Sequence, residues 1–249
     1  MANHYYDELI IAKDYARLED ITFPIPIESF SVPRTKENEA KYRHITCILV
    51  PILTREKNKL LIMNKYPRNI IKDDKGEYPP SCLDLPGSGH FCFDQLTPQE
   101  QQSGYLSFDS ALMQAYREVT EELYARPGLE PPESIEKEDL VFLGVFPHND
   151  RKNRELSIVF GVALKRYSGV YLACDDFWNG QEKENIDLPM EPYEYDKLIQ
   201  MWRDRGANKD KYLIHDGLGR LLGSGRLAGL VKNSRFEGFP EIDITGHCC

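Results

Sequence analysis

Hydrophobic and polar positions along the chain fall into blocks with two different periods. Residues 45–53, Ile45-Thr46-Cys47-Ile48-Leu49-Val50-Pro51-Ile52-Leu53, are β-branched and apolar and predict a strand. Residues 55–58 form a polar turn, and 59–63, Lys59-Leu60-Leu61-Ile62-Met63, return as a second strand, giving a hairpin. Leu83-Asp84-Leu85 alternates and runs into Pro86-Gly87-Ser88-Gly89-His90, which reads as a strand ending in a tight turn. The period then changes. Leu112, Ala115, Tyr116, Val119 and Leu123 recur at three- and four-residue spacing, an apolar helical stripe, with Gln114, Arg117, Glu118, Glu121 and Glu122 on the other side. Ser107, Asp109 or Ser110 supplies an N-terminal cap, and Pro127-Gly128 a stop.

Beyond the helix, 140–146 and 156–164 read as strands. The polar linker 148–155 between them is a turn, and its residues are candidates for contacts to a base or ribose. Residues 191–204 predict a helix with Tyr195, Leu198, Ile199 and Trp202 on one face. Residues 218–231 suggest a loosely packed helix broken by glycines. Near the start, 7–18 suggests a short helix, whereas the prolines of Phe23-Pro24-Ile25-Pro26-Ile27 forbid one. This order predicts an α/β/α sandwich around a mixed β-sheet. It divides the chain into an N-terminal extension (1–43), a central domain (44–205) and a C-terminal helical extension and tail (206–249).

Composition narrows the function classes. With 41% hydrophobic residues in 249, the chain has enough apolar material for a substantial core. A formal net charge of −9 disfavours a broad nucleic-acid surface, which needs a basic stripe. No apolar run reaches membrane-spanning length, and no secretory signal pattern opens the chain. The six cysteines make no C-x-x-C zinc pattern and read as reduced thiols, so the expected compartment is the cytoplasm.

The chemistry concentrates in Arg117-Glu118-Val119-Thr120-Glu121-Glu122. Positions three and four apart share a helix face, so Glu118, Glu121 and Glu122 crowd like charges together. A hard divalent cation removes that repulsion, since Mg²⁺ takes oxygen ligands and is held by few carboxylates plus substrate phosphates. Gly87 and Gly89 let the backbone approach a ligand closely and offer carbonyl oxygens to a metal. Lys65 and Arg68 follow the second strand of the hairpin and are candidates for phosphate contact.

Together these residues resemble the Nudix hydrolase superfamily, whose box reads G-x5-E-x7-R-E-U-x-E-E-x-G-U. Arg117 to Glu122 fit the centre of the box without a gap, Asp109 stands where it has its first glutamate, and Gly89 or Gly87 resembles its opening glycine. The segment between His90 and Asp109 is longer than the box allows and reads as a loop insertion. Tyr124 replaces the closing glycine.

The resemblance implies a Nudix fold and a metal-dependent pyrophosphohydrolase. Glu118, Glu121, Glu122 and the glycine carbonyls would hold Mg²⁺ or Mn²⁺, with Glu118 and Glu121 as catalytic carboxylates. Glu118 or a downstream acid (Asp187, Glu191 or Glu194) would act as base, and Arg117 would orient a neighbouring carboxylate. The partner would be a nucleoside diphosphate linked to another moiety. The alternatives are a catalytically silent nucleotide sensor on the same fold and an isomerase of prenyl diphosphates, whose Cys-Ser-His-Pro setting the sequence around Cys82 does not match. The residues leave a homodimer open.

Overall fold

Runs of isoleucine, leucine and valine make the strands that frame the molecule. The structure, a computed structural model, describes residues 8–13, 21–53, 59–65, 82–85, 88–122, 136–149, 154–168, 171–174, 186–204, 213–214, 216–225, 227–228 and 242–245. It forms two compact units, one of residues 1–49, 87–119 and 136–161, the other of residues 50–86, 120–135 and 162–249.

In the first unit, β1 (Glu8–Ala12) pairs antiparallel with β2 (Ile25–Pro33), and Ile11 sits opposite His44 of β3 (His44–Leu53). After α1 (Lys36–Lys41) and β3, β4 (Lys59–Lys65) closes the predicted hairpin, Ile52 opposite Leu60 and Leu53 opposite Lys59, and β5 (Cys82–Asp84) follows. β6 (Ser88–His90) then pairs antiparallel with β3, Thr46 opposite His90 and Cys47 opposite Gly89. Leu9 to Ala12 are all buried, so this stretch lies as a core strand. The helix expected over 7–18 does not form at Glu8–Ala12. The β-branched pair Ile10-Ile11 suits a strand covered on both faces better than a one-sided helix.

The segment read as a loop insertion is ordered. A 3-10 turn (Phe93–Gln95) leads into α2 (Pro98–Ser103) and β7 (Tyr105–Leu106), which pairs with β2. Thr97 and Glu100 form a reciprocal capping box, Pro98 opens the helix, and Gly104 closes it at a φ of 70°. α3 (Phe108–Glu122) follows, with Ser107 as its cap: the Ser107 hydroxyl accepts from Ser110 N at 3.1 Å. A second 3-10 turn (Lys137–Asp139) precedes β8 (Leu140–Asn149) and β9 (Arg154–Ser168).

In the second unit, β10 (Tyr171–Cys174), β11 (Ile186–Glu194), β4 and β5 run antiparallel in that order. β12 (Leu213–Ile214) joins β5 in parallel, and β13 (Ile242–Thr245) joins β9 in parallel. The sheet is therefore mixed, as the sequence order predicts. α4 (Tyr195–Asp204) packs on β11 and on α5 (Asp216–Gly223). The helix expected from residue 191 starts at Tyr195, because Met190 to Glu194 pair with β4 instead. Nor is α5 loosely packed. A side chain at Gly219 would overlap the Trp202 indole, so the glycine is what admits the ring.

Candidate active site on the acidic helix

α3 is placed by its N-terminal end. The rings of Phe108 and Phe142 meet edge-to-face at 5.6 Å, and Phe23 meets the same two rings at 5.3 and 5.5 Å. Phe142 also lies 5.6 Å from the fully buried Phe160. Glu100 adds a polar anchor. It accepts from Ser107 N at 2.8 Å and Ser110 Oγ at 2.9 Å while also accepting from Thr97 N and Oγ1, each at 2.9 Å. Burial pushes its carboxyl pKa up, but hydrogen bonds from Ser107, Thr97 and Ser110 outweigh that and hold it down at about 2. This carboxylate ties α2 to the first turn of α3.

Of the expected stripe, Ala115 is fully buried, and the Val119 side chain and Leu123 lie outside the described residues. The helix's inward face is Ala111, Gln114, Ala115 and Glu118, while Leu112 and Tyr116 are half-buried and Met113 is exposed. The face expected to be polar and solvated is thus partly the packed one. Two alanines let the helix approach closely, and two polar side chains go inside with it.

Glu118, 7% exposed, is the centre of the arrangement. A Cβ at Gly89 would overlap its carboxylate, so any side chain there would force the carboxylate to move. Gln114 Nε2 donates to Glu118 Oε1 at 2.6 Å. Cys47, opposite Gly89 on β3, is a free, buried thiol. Burial pushes its pKa well up, and the neighbouring Glu118 charge pushes the same way. The neighbours of the carboxylate thus include an amide, a thiol and a glycine backbone. A carboxylate is a hard oxygen donor of the kind that Mg²⁺ or Mn²⁺ takes.

The other sequence-derived residues stand as follows. Arg117 is half-buried on α3. The backbones of Glu121 and Glu122 complete the helix, and their side chains lie outside the described residues. Lys65 ends β4 opposite Cys82, its side chain likewise outside them, as are Arg68 and Gly87 altogether. Gly89 is a strand residue of β6 rather than part of a turn. Asp109, in the first turn of α3, is exposed. Asp187 and Glu191 fall within β11, with side chains outside the described residues, and Glu194 at its end is exposed. Among the described residues no three His, Cys, Asp or Glu side chains gather as a metal site, and no helix is long and apolar enough to cross a membrane.

Alternation along β3 and β6 puts a second polar group on the opposite face. Thr46 Oγ1 and Ser157 Oγ donate to Glu155 Oε1 at 2.7 and 2.6 Å. His44 Nε2 lies 3.9 Å from Glu155 Oε2, and the His44 and His90 rings are 5.3 Å apart. Glu155 was expected in a solvent-facing turn; it is 4% exposed and inside β9. His148 and Asn149 lie in β8, and the linker residues between are outside the described ones.

Sequence reasoning missed Gln114, Cys47, Glu100 and the phenylalanine cluster. Two had a signal: Gln114 stands four residues before Glu118, and Thr97-Pro98-Gln99-Glu100 spells a capping box.

No family model matches the chain, and no curated protein does. Solved structures do resemble it. A Nudix hydrolase from Nitrosomonas europaea is 16% identical with a TM-score of 0.37, covering 75% of this chain and 90% of its own. The Nudix domain of Shewanella oneidensis NrtR, complexed with ADP ribose, is 12% identical with a TM-score of 0.38, covering 75% and 88%. An Ap4A hydrolase from C. elegans is 17% identical with a TM-score of 0.33, covering 74% and 98%. Likeness at that level carries no weight of its own, and the functional reading stands on the chain's residues. The solved structures that the chain resembles include two described as Nudix hydrolases and one Nudix domain.

Proposed function

We propose that the chain is a Nudix-type pyrophosphohydrolase that cleaves the diphosphate of a nucleoside diphosphate linked to another moiety, using Mg²⁺ or Mn²⁺. The observation that carries this reading is Glu118, buried on the acidic helix with its carboxylate seated against Gly89. Glu118, Glu121 and Glu122, with the carbonyls of Gly87 and Gly89, would hold the cation. When bound, it supplies charge neutralisation at the diphosphate and acidifies a coordinated water.

The chain's own groups do the rest. Arg117 would pair with Glu121 one turn on and so orient it. Lys65 and Arg68 meet phosphate oxygens. The water oxygen bonds to phosphorus as the bridging P–O bond breaks. The water's proton passes to a carboxylate, Glu118 or a downstream acid, and two phosphate esters leave. The expected setting is the cytoplasm.

The test is a panel of ADP-ribose, diadenosine polyphosphates, nucleotide sugars and oxidised nucleoside triphosphates with each metal, with products identified. Release of two phosphate esters, lost in Glu121→Gln or Glu122→Gln with the fold intact, supports the reading. Binding without turnover would make the chain a nucleotide sensor. Full activity in either variant contradicts the site assignment.

A further inference from the structure

Gln114 is 5% exposed and Glu118 7%, one helical turn apart on the inward face of α3. On a solvated helix such a pair competes with water for its hydrogen bond. Here the pair is enclosed with the Cys47 thiol and the Gly89 backbone, and low polarity strengthens what remains. A carboxylate only accepts, so the amide's nitrogen end faces it. The 2.6 Å separation is that of a short bond to a charged acceptor.

We propose that Gln114 is a positioning residue that holds the Glu118 carboxylate in the single orientation at which it meets a divalent cation beside Gly89. The proposal rests on the reading of Glu118 as a cation ligand. A glutamate has three side-chain torsions, and a ligand oxygen that wanders costs affinity and alignment. Gly89 limits the carboxylate from the side of β6, where a methyl would overlap it. Gln114 limits it along the helix. A glutamine that merely satisfied a buried acid would matter to stability and not to the cation.

The experiment uses the full chain labelled with ¹⁵N. Adding MgCl₂ is expected to move the Gln114 side-chain amide resonances and the Gly89 backbone amide along one saturation curve. Glu118→Gln should abolish both shifts. Gln114→Met, of similar length without a donor, is expected to bind Mn²⁺ about ten- to a hundredfold more weakly by electron paramagnetic resonance. If Gln114→Met does not fold, the titration of the unmodified chain decides alone. Movement at Gly89 with a silent Gln114 amide overturns the positioning role. Silence at both, with no Mn²⁺ bound, overturns the cation reading beneath it, so the two failures are distinct.

Discussion

Glu100 on α2 and Glu118 on α3 are buried glutamates of the same compact unit, and they meet different neighbours. Glu100 sits among helix N-terminal donors. Backbone and hydroxyl groups of Thr97, Ser107 and Ser110 replace the water it lost, and its pKa falls to about 2. Glu118 is lined by an amide, a thiol that holds its proton, and a glycine that has no side chain to offer. The first is an acid satisfied by its own chain, which makes it a fastener. The second lies on the acid-rich helix among few hydroxyl donors, and it is the proposed cation ligand. Glu155, on the other face of β3, belongs with the first kind, since two hydroxyls bond it.

The comparison breaks most decisively at Glu118. Glu118→Gln keeps the shape and removes the charge, and hydrolysis is expected to fall by roughly 10²- to 10⁴-fold with little change in melting temperature. A chelator should do the same to the unmodified protein. Glu100→Ala should behave inversely. It is expected to lose on the order of 3 kcal/mol of stability, because the carboxyl is held at about 2 against an ordinary 4.5. That corresponds to a fall of roughly 5–10 °C in melting temperature by calorimetry. The sign fixes the pH window. The carboxylate's contribution is complete above about pH 4.5 and is lost as pH falls towards 2, so acid should erase the difference between variant and wild type.

Gly89→Ala tests the contact between the strand and the carboxylate. The methyl displaces the Glu118 carboxylate, costing about 1–3 kcal/mol of stability, with hydrolysis falling well beyond what the stability loss explains. Thr46→Val, on the far face, removes one of Glu155's donors. It should cost about 1 kcal/mol in denaturant unfolding and leave the response to metal unchanged.

Much of this was legible in the chain, for physical reasons that also mark where reading stops. Strands β3, β4, β8 and β9 follow from apolar runs bounded by polar stretches. α3 follows from its stripe and from Ser107, one of three caps the sequence offered. The helix's buried face did not follow. Glu118 turns inward because Gly89 lies opposite, and that meeting joins residues far apart in sequence. Residues 91–108 read as a loop because they are rich in Gln, Asp and Ser, yet the capping box and Gly104 organise a helix there. The acid run itself was read from its spacing, while the partners that distinguish Glu118 from Glu100 are tertiary.

The most direct measurement is a titration of Mn²⁺ into the wild-type chain and into Glu118→Gln, followed by electron paramagnetic resonance of the free ion. The account predicts saturable binding in the wild type and about ten- to a hundredfold weaker binding in the variant, with both proteins folded. Equal binding by the two, or none by the wild type, would contradict it.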